Sequence, residues 1–357
     1  MIQLLRDNRP FAVLWSARSV SFLGDSLSLV ALMLHVAGET EQALAVALLL
    51  LVGDFVPGLF GPLTGAISDR YDHKRVMVAC ELVQGLVTVV IALWLPGLPV
   101  LLALVGVRAL AGQLFQAASR SVVPALVEDR DLARANTAIG LGTNGGEALG
   151  PLAAWLLLPW LGIGGVLLVD AATFAVSALL LAFLPATGRA GVAEPRRALL
   201  RETWRGLRYI VTTRTVRAVA LGFVGVVAFN GIDDVAVVFL VTEELRGPAS
   251  DAGLVLSAVG IGLFAGYALV ARLGRARMAV LLVAGFAVSS AGNLLTGLAW
   301  AVAAAFAVQA VRGLGIAAMD VAANTLVQRT ADPAMLGRVF GSLYGGVGVA
   351  AALSYVG

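Results

Sequence analysis

Long apolar runs alternate with short polar connectors along the whole chain of 357 residues. A helix needs about 20 consecutive, mostly apolar residues to cross the hydrocarbon core of a bilayer. Eleven runs reach that length. The pattern therefore predicts membrane-spanning helices at residues 11–35, 43–67, 76–95, 99–122, 135–158, 162–184, 216–241, 251–271, 278–297, 300–325 and 337–357.

Lysine and arginine are concentrated in every second connector. The N-terminus and one set of connectors hold 21 of the 25 basic residues, whereas the other set holds only Arg246 and the remaining three lie inside spans. Basic residues are retained on the cytoplasmic side of a membrane. We therefore expect a multi-pass protein of the cell membrane with a cytoplasmic N-terminus.

The longest polar connector, residues 185–215, separates six predicted spans from five. We interpret residues 1–184 as a first six-helix bundle, residues 185–215 as a cytoplasmic linker and residues 216–357 as a second bundle. Within the linker, Leu199, Thr203, Leu207 and Ile210 recur at helical spacing. This spacing indicates either an amphipathic helix on the membrane surface or a solvated basic loop.

An internal repeat supports this division. Residues 107–119, VRALAGQLFQAAS, align with residues 311–323, VRGLGIAAMDVAA, at an offset of 204. The two halves therefore resemble duplicated units. At this offset the residues end after the eleventh span, so we expect a second bundle that lacks a twelfth helix.

Composition agrees with a membrane protein. Hydrophobic residues make up 59% of the chain and charged residues 13%, and the mean hydropathy is +0.92. The sequence has no phosphate-binding Gly-Lys-Ser/Thr loop, and its two histidines and one cysteine do not form a metal-ligand pattern. We expect no cofactor, no metal, no enzyme activity and no nucleic acid partner, and we favour secondary transport.

The connector at residues 61–75, GPLTGAISDRYDHKR, carries the most specific motif. It resembles the loop between helices 2 and 3 of major facilitator superfamily transporters, in which a Gly-x-x-x-Asp-Arg core precedes a basic cluster. The matching residues are Gly65, Asp69, Arg70, Lys74 and Arg75. Asp72 stands where the family has a second glycine.

This resemblance implies an all-α fold of two pseudo-symmetric six-helix bundles that rock about a central site. It also implies that Asp69 meets the start of the eleventh helix near Gly337 and latches the cytoplasmic side. Arg70, Lys74 and Arg75 are then expected to form ion pairs across the same seam. The alternative is that these residues are topology charges only.

Two further motifs resemble proton-coupled members of the family. Arg108-x-x-x-Gly112 lies in the fourth span, and we expect an arginine there to face a cavity and hold a partner. A structural arginine that ties helices together is the alternative. The fifth span carries a glycine-rich motif similar to one in drug:proton antiporters, although a bare helix-packing motif is the alternative. Its residues are Gly146, Glu147, Gly150 and Pro151.

In this family helices 1, 4, 7 and 10 line the cavity, and each has a charged residue here. We expect Asp25 to be a proton-coupling acid with Arg108 as its counter-charge, and Asp233 or Asp234 to be another. Asp54 and Asp170 lie on helices 2 and 6, which in this family contribute more to the sides of the bundles, so we expect them to cap, pair locally or lie near an interface. Glu81 is expected to be solvated. The proposed cavity charges are Asp25, Arg108, Asp233, Asp234, Arg312 and Asp320.

Stretches such as 8–11, NRPF, and 337–340, GRVF, are similar to the macrolide-efflux and siderophore-exporter group of bacterial facilitators. The resemblance implies proton-coupled export of an amphipathic organic compound by a monomer in the lipid bilayer, with a small-molecule substrate and protons as its partners. The alternatives are an uncoupled facilitator or lipid flippase, and a membrane sensor or scaffold that transports nothing.

Overall fold

The computed structural model describes residues 2–40, 42–185, 199–228, 237, 240–246, 249–273 and 277–354. Within these ranges the chain is almost entirely helical and contains no strand. The α-helices are α1 Ile2–Asp7, α2 Arg9–Thr40, α3 Ala43–Arg70, α4 His73–Trp94, α5 Leu98–Leu126, α6 Leu132–Ala182, α7 Leu199–Thr212, α8 Arg214–Ala228, α9 Ala249–Arg272, α10 Met278–Thr296, α11 Val302–Thr330 and α12 Leu336–Ser354.

Nine helices in the described part of the chain are long and apolar enough to cross a membrane, which confirms the prediction of an all-α integral membrane protein. One of them, α6, is 51 residues long and bends at Gly162, where φ is +64°. Glycine adopts this left-handed conformation without steric cost. The bend therefore divides α6 into the predicted fifth and sixth spans.

The predicted seventh span begins with α8, which ends at Ala228. Most of the remainder of that span, residues 229–236 and 238–239, lies outside the described residues. Asp233 and Asp234 belong to this part, so the structure gives no position for either.

Helix α7 occupies part of the predicted linker, which favours the amphipathic helix over the loop. Its axis meets that of α8 at 93°. The inner face packs on α3 and α12, with Gly206 against the side chain of Arg338. The outer face exposes Trp204 together with several arginines.

Each half of the chain has its own hydrophobic core. In the first half, Phe11 of α2 and Met77 of α4 pack with residues of α5 and α6. In the second half, Phe223 of α8 and Phe340 of α12 pack with residues of α10 and α11. Ala133 of α6 also packs against the second core, so the two halves touch there as well.

The halves meet most closely along α3 and α12. Gly58, Gly61 and Gly65 of α3 face the glycines of α12, and a Cβ atom at Gly61 would lie 2.2 Å from the carbonyl oxygen of Gly341. A Cβ atom at Gly65 would lie 2.3 Å from the carbonyl oxygen of Gly337. Small residues allow such close approach of membrane helices. We call this contact the glycine seam.

A single methyl group should disturb the glycine seam. We expect Gly61→Ala to lower the midpoint of thermal unfolding in detergent, because overpacking costs about 1–3 kcal/mol. Gly260→Ala in α9 is the control, since a Cβ atom there meets nothing within 4 Å. Equal midpoints for the two variants would contradict close backbone contact at Gly61.

Candidate functional site

A cavity of about 660 Å³ lies between the halves at one end of the glycine seam. Its walls come mainly from α2, α3, α5 and α12. Along α3, Asp54 and Pro57 line the cavity and Asp69 lies at the far end of the helix. The cavity and Asp69 are therefore on opposite sides of the seam.

Arg108 of α5 forms the central charge cluster of the cavity wall. Its Nη2 atom contacts the Oδ1 atom of Asp25 on α2 and lies 3.1 Å from the Oδ2 atom of Asp170 on α6. The guanidinium group also lies 5.3 Å from the ring centroid of Phe174. A buried charge of this kind requires paired carboxylates to offset its desolvation.

The two carboxylates of this cluster differ in access. The side chain of Asp170 is 0% exposed, whereas that of Asp25 is 35% exposed and lines the cavity. Asp25 is consequently the member that a solute in the cavity can reach. The pairing of Asp25 with Arg108 is the one proposed from the sequence.

Asp170 forms a local pair, which is one of the outcomes expected from the sequence, but the sequence did not identify Arg108 of the cavity wall as its partner. Gly24 makes its position possible, because a Cβ atom there would lie 2.3 Å from the Oδ1 atom of Asp170. A glycine directly before an intramembrane acid on α2 was the available signal. It indicates close approach of another helix but does not identify which one.

Glu81 was expected to be solvated, and that expectation is wrong. The residue is 0% exposed and accepts a hydrogen bond of 3.2 Å from the Ser21 hydroxyl group. Helix α4 begins at His73, so Glu81 lies about two turns inside the bundle, where α2 covers it. Sequence distance from the connector was a poor guide to its burial.

The glycine motif of the fifth span lies against α2. A Cβ atom at Gly146 would lie 2.9 Å from the backbone nitrogen of Leu23, and one at Gly150 would lie 2.3 Å from the Cβ atom of Ser26. These contacts flank Asp25 and bring α2 close to α6. Pro151 is exposed, and the side chain of Glu147 lies outside the described part.

Asp69 binds the start of α12. Its Oδ1 atom accepts a hydrogen bond of 2.6 Å from the Gly337 nitrogen, and its Oδ2 atom accepts one of 3.0 Å from the Arg338 nitrogen. The Arg338 Nε atom lies 3.5 Å from the same carboxylate. A helix N-terminus favours a negative charge through its exposed amides and its dipole. This is the contact that the resemblance implied for Asp69.

Polar contacts between the halves continue on the Asp69 side of the seam. Arg120 Nη1 donates a hydrogen bond of 2.7 Å to Asn324 Oδ1, and its guanidinium lies 4.1 Å from the Tyr344 ring centroid. Arg329 forms an ion pair of 2.8 Å with Asp129. Arg120 and Asn324 are 204 residues apart, the offset of the sequence repeat, so repeat-equivalent positions meet here.

The basic residues of the 61–75 connector do not form the expected ion pairs across the seam. Lys74 Nζ donates a hydrogen bond of 2.8 Å to the Leu184 carbonyl, within the first half. Asp72 instead caps α4 by accepting a hydrogen bond of 3.0 Å from the Arg75 nitrogen. None of Arg70, Lys74 and Arg75 forms an ion pair in the described structure, and Arg338 supplies the cation beside Asp69.

Arg312 and Asp320 do not line the cavity described above. Asp320 accepts hydrogen bonds of 3.1 Å from Tyr267 and 2.9 Å from Asn324. Arg312 is buried and donates a hydrogen bond of 2.9 Å to Gln309, one turn away on α11. In the described residues no three His, Cys, Asp or Glu side chains are grouped to hold a metal ion.

Comparison with known proteins agrees with this architecture. The sequence profile of the Major Facilitator Superfamily matches residues 14–355. An uncharacterised MFS-type transporter of Bacillus subtilis (strain 168), YfiS, is 24% identical over 370 residues, which cover 99% of this chain and 87% of that protein.

Two further similarities are more limited. Macrolide efflux protein A of Streptococcus pyogenes is 25% identical over 129 residues, or 35% of this chain and 32% of that protein. The crystal structure of the human organic anion transporter MFSD10 superposes with a TM-score of 0.80 at 17% identity, covering 98% of this chain and 92% of that one. The likeness to MFSD10 shows the fold alone.

Loss of the Asp69 charge should weaken the contact with α12. We expect Asp69→Asn to broaden the distance distribution between spin labels at positions 128 and 330, measured in a Cys80→Ala background, towards longer distances. A loss of about 1.4 kcal/mol shifts the equilibrium between closed and open forms tenfold. Asp72→Asn is the control, because Asn caps a helix about as well as Asp. An unchanged distribution in Asp69→Asn would refute a latch at this contact.

Removal of the Asp170 charge should destabilise the cluster around Arg108. We expect Asp170→Asn to reduce the free energy of unfolding by about 1.5–3 kcal/mol, the value of a hydrogen bond to a charged group. Denaturant unfolding in detergent measures this change, and Asp251→Asn, in the first turn of α9, is the control. If Asp170→Asn were no less stable than the control, the ion pair would contribute nothing to the fold.

Proposed function

We propose a function from the premise that this chain belongs to the major facilitator superfamily and is a membrane transporter. The protein exports amphipathic organic compounds in exchange for protons. Alternating access, in which two halves rock about a central site, is the mechanism that this fold uses. The observation that carries the proposal is the position of Asp25, exposed to the cavity and bound to Arg108.

The shared arginine makes Asp25 suited to proton exchange. When Asp25 takes up a proton its attraction for Arg108 falls, but Arg108 remains paired with the fully buried Asp170. The guanidinium group is therefore never left as an unpaired charge, which would be costly inside a membrane protein. Asp25 can therefore gain or lose a proton while the ion pair between Arg108 and Asp170 stays intact.

The two ends of the molecule have different roles in this proposal. The arginine-rich connectors lie at the Asp69 end, so we assign that end to the cytoplasm. The glycine seam and the Asp69 contact then close the cytoplasmic side, and the cavity belongs to an outward-facing state. Opening towards the cytoplasm requires separation of α3 from α12 and release of Asp69 from Gly337 and Arg338.

The nature of the cavity supports an amphipathic substrate. Apolar residues such as Leu29, Leu32 and Leu49 lie in its walls with polar Gln84 and Gln113. Ligand sites are mostly apolar with a few polar groups that fix orientation. The partial similarity to macrolide efflux protein A agrees with this class of compound. We propose that the protein works as a monomer in a bacterial inner membrane.

Proton release on substrate binding tests this function. We expect purified protein in weakly buffered detergent solution to release protons when erythromycin is added, and Asp25→Asn to release none, as read with a pH indicator. Asp251→Asn is the control and should release protons like the wild type. In proteoliposomes, Asp25→Asn should also abolish erythromycin transport driven by a pH gradient.

The proposal of proton coupling fails if Asp25→Asn keeps both proton release and gradient-driven transport. If the rate of erythromycin transport by the wild-type protein did not depend on the pH gradient, the protein would instead be an uncoupled facilitator. Movement of labelled phospholipid without erythromycin transport would indicate a flippase.

A further inference from the structure

A second acid, Asp54 of α3, lines the cavity and is exposed there. Its position follows from the glycine seam, since it precedes Gly58 by one helical turn on the same face of α3. The backbone oxygen of Asp54 would lie 2.8 Å from a Cβ atom at Gly348 of α12. Asp54 therefore lies at the cavity end of the glycine seam, where α3 and α12 are still in close contact.

The partners of the two acids are different. Asp25 is bound by Arg108, whereas no hydrogen-bond donor or cation from the described residues contacts the Asp54 carboxylate. Arg108 is the one basic residue among the described residues that line the cavity, and it is already paired with the carboxylates of Asp25 and Asp170. The wall of the cavity thus carries a carboxyl group at Asp54 that no described residue pairs with a positive charge.

The groups around Asp54 suit an organic cation with apolar bulk. Pro57 and Leu50 lie on the same helix, and Val347 of the neighbouring helix α12 also lines the cavity. An anion would meet an acid here, and Arg108, the one basic residue of the described lining, is already paired with two carboxylates.

We propose that Asp54 is the charge-recognition residue of the cavity and that the transported compound is a lipophilic monovalent cation whose charged group binds at Asp54. This inference rests on the proposed transport function and adds the substrate class. It assigns different tasks to the two acids. Asp25, held by Arg108, exchanges the proton, and Asp54, without a partner from the described protein, binds the charge of the substrate.

Equilibrium binding to purified, detergent-solubilised protein tests the proposal without any gradient. The probes are tetraphenylphosphonium, a permanent lipophilic cation, and triphenylphosphine oxide, a neutral compound with similar aromatic groups. We expect the wild type to bind the cation at least about tenfold more tightly than the neutral compound, which corresponds to about 1.4 kcal/mol. Asp54→Asn should lose most of this difference, whereas Asp54→Glu should keep it.

Binding of the neutral probe provides the control for folding. Triphenylphosphine oxide should bind Asp54→Asn and wild type equally, and Asp251→Asn should match the wild type with both probes. Equal affinity for the two probes in the wild type, or an unchanged cation preference in Asp54→Asn, would overturn the proposal. Failure of Asp25→Asn to affect gradient-driven transport would overturn proton coupling alone, so the two outcomes remain distinguishable.

Discussion

Backbone contact between α3 and α12 is the constraint on which the arrangement of the two halves depends. Glycines on both helices allow carbonyl oxygens and Cα atoms to approach within distances that a Cβ atom would forbid. Membrane helices gain little from the hydrophobic effect between them, so close packing and polar contacts must hold them together. The carboxylate of Asp69 adds such a contact at the first amides of α12.

The same principle of close approach builds the charged cluster. Gly24 admits Asp170, while Gly146 and Gly150 bring α6 against α2 on both sides of Asp25. Arg108 then lies between carboxylates from two helices and ties them to α5. The glycines of the fifth span therefore hold the Asp25 segment of α2 against α6, and Gly24 makes room for Asp170.

The two acids of the cavity wall show how partners determine chemistry. Asp25 and Asp54 are the same residue type and line the same space. One is bound to an arginine that has a second carboxylate, and the other has no partner in the described structure. In the proposed transport cycle, this difference assigns proton exchange to Asp25 and cation binding to Asp54.

The sequence by itself determined the membrane class, most span positions and the candidate pair Asp25 and Arg108, because hydropathy and the cost of intramembrane charge act locally along each helix. The motif at Asp69 also indicated its partner near Gly337. Only the tertiary structure decided that Asp170 completes the cluster, that Glu81 is buried and that Arg338 takes the place expected for the connector bases. It also placed Asp54 on the cavity, where the sequence had left capping, a local pair and an interface open. Those positions depend on the rotation of each helix and on which helix packs against it, and helix periodicity alone does not fix either.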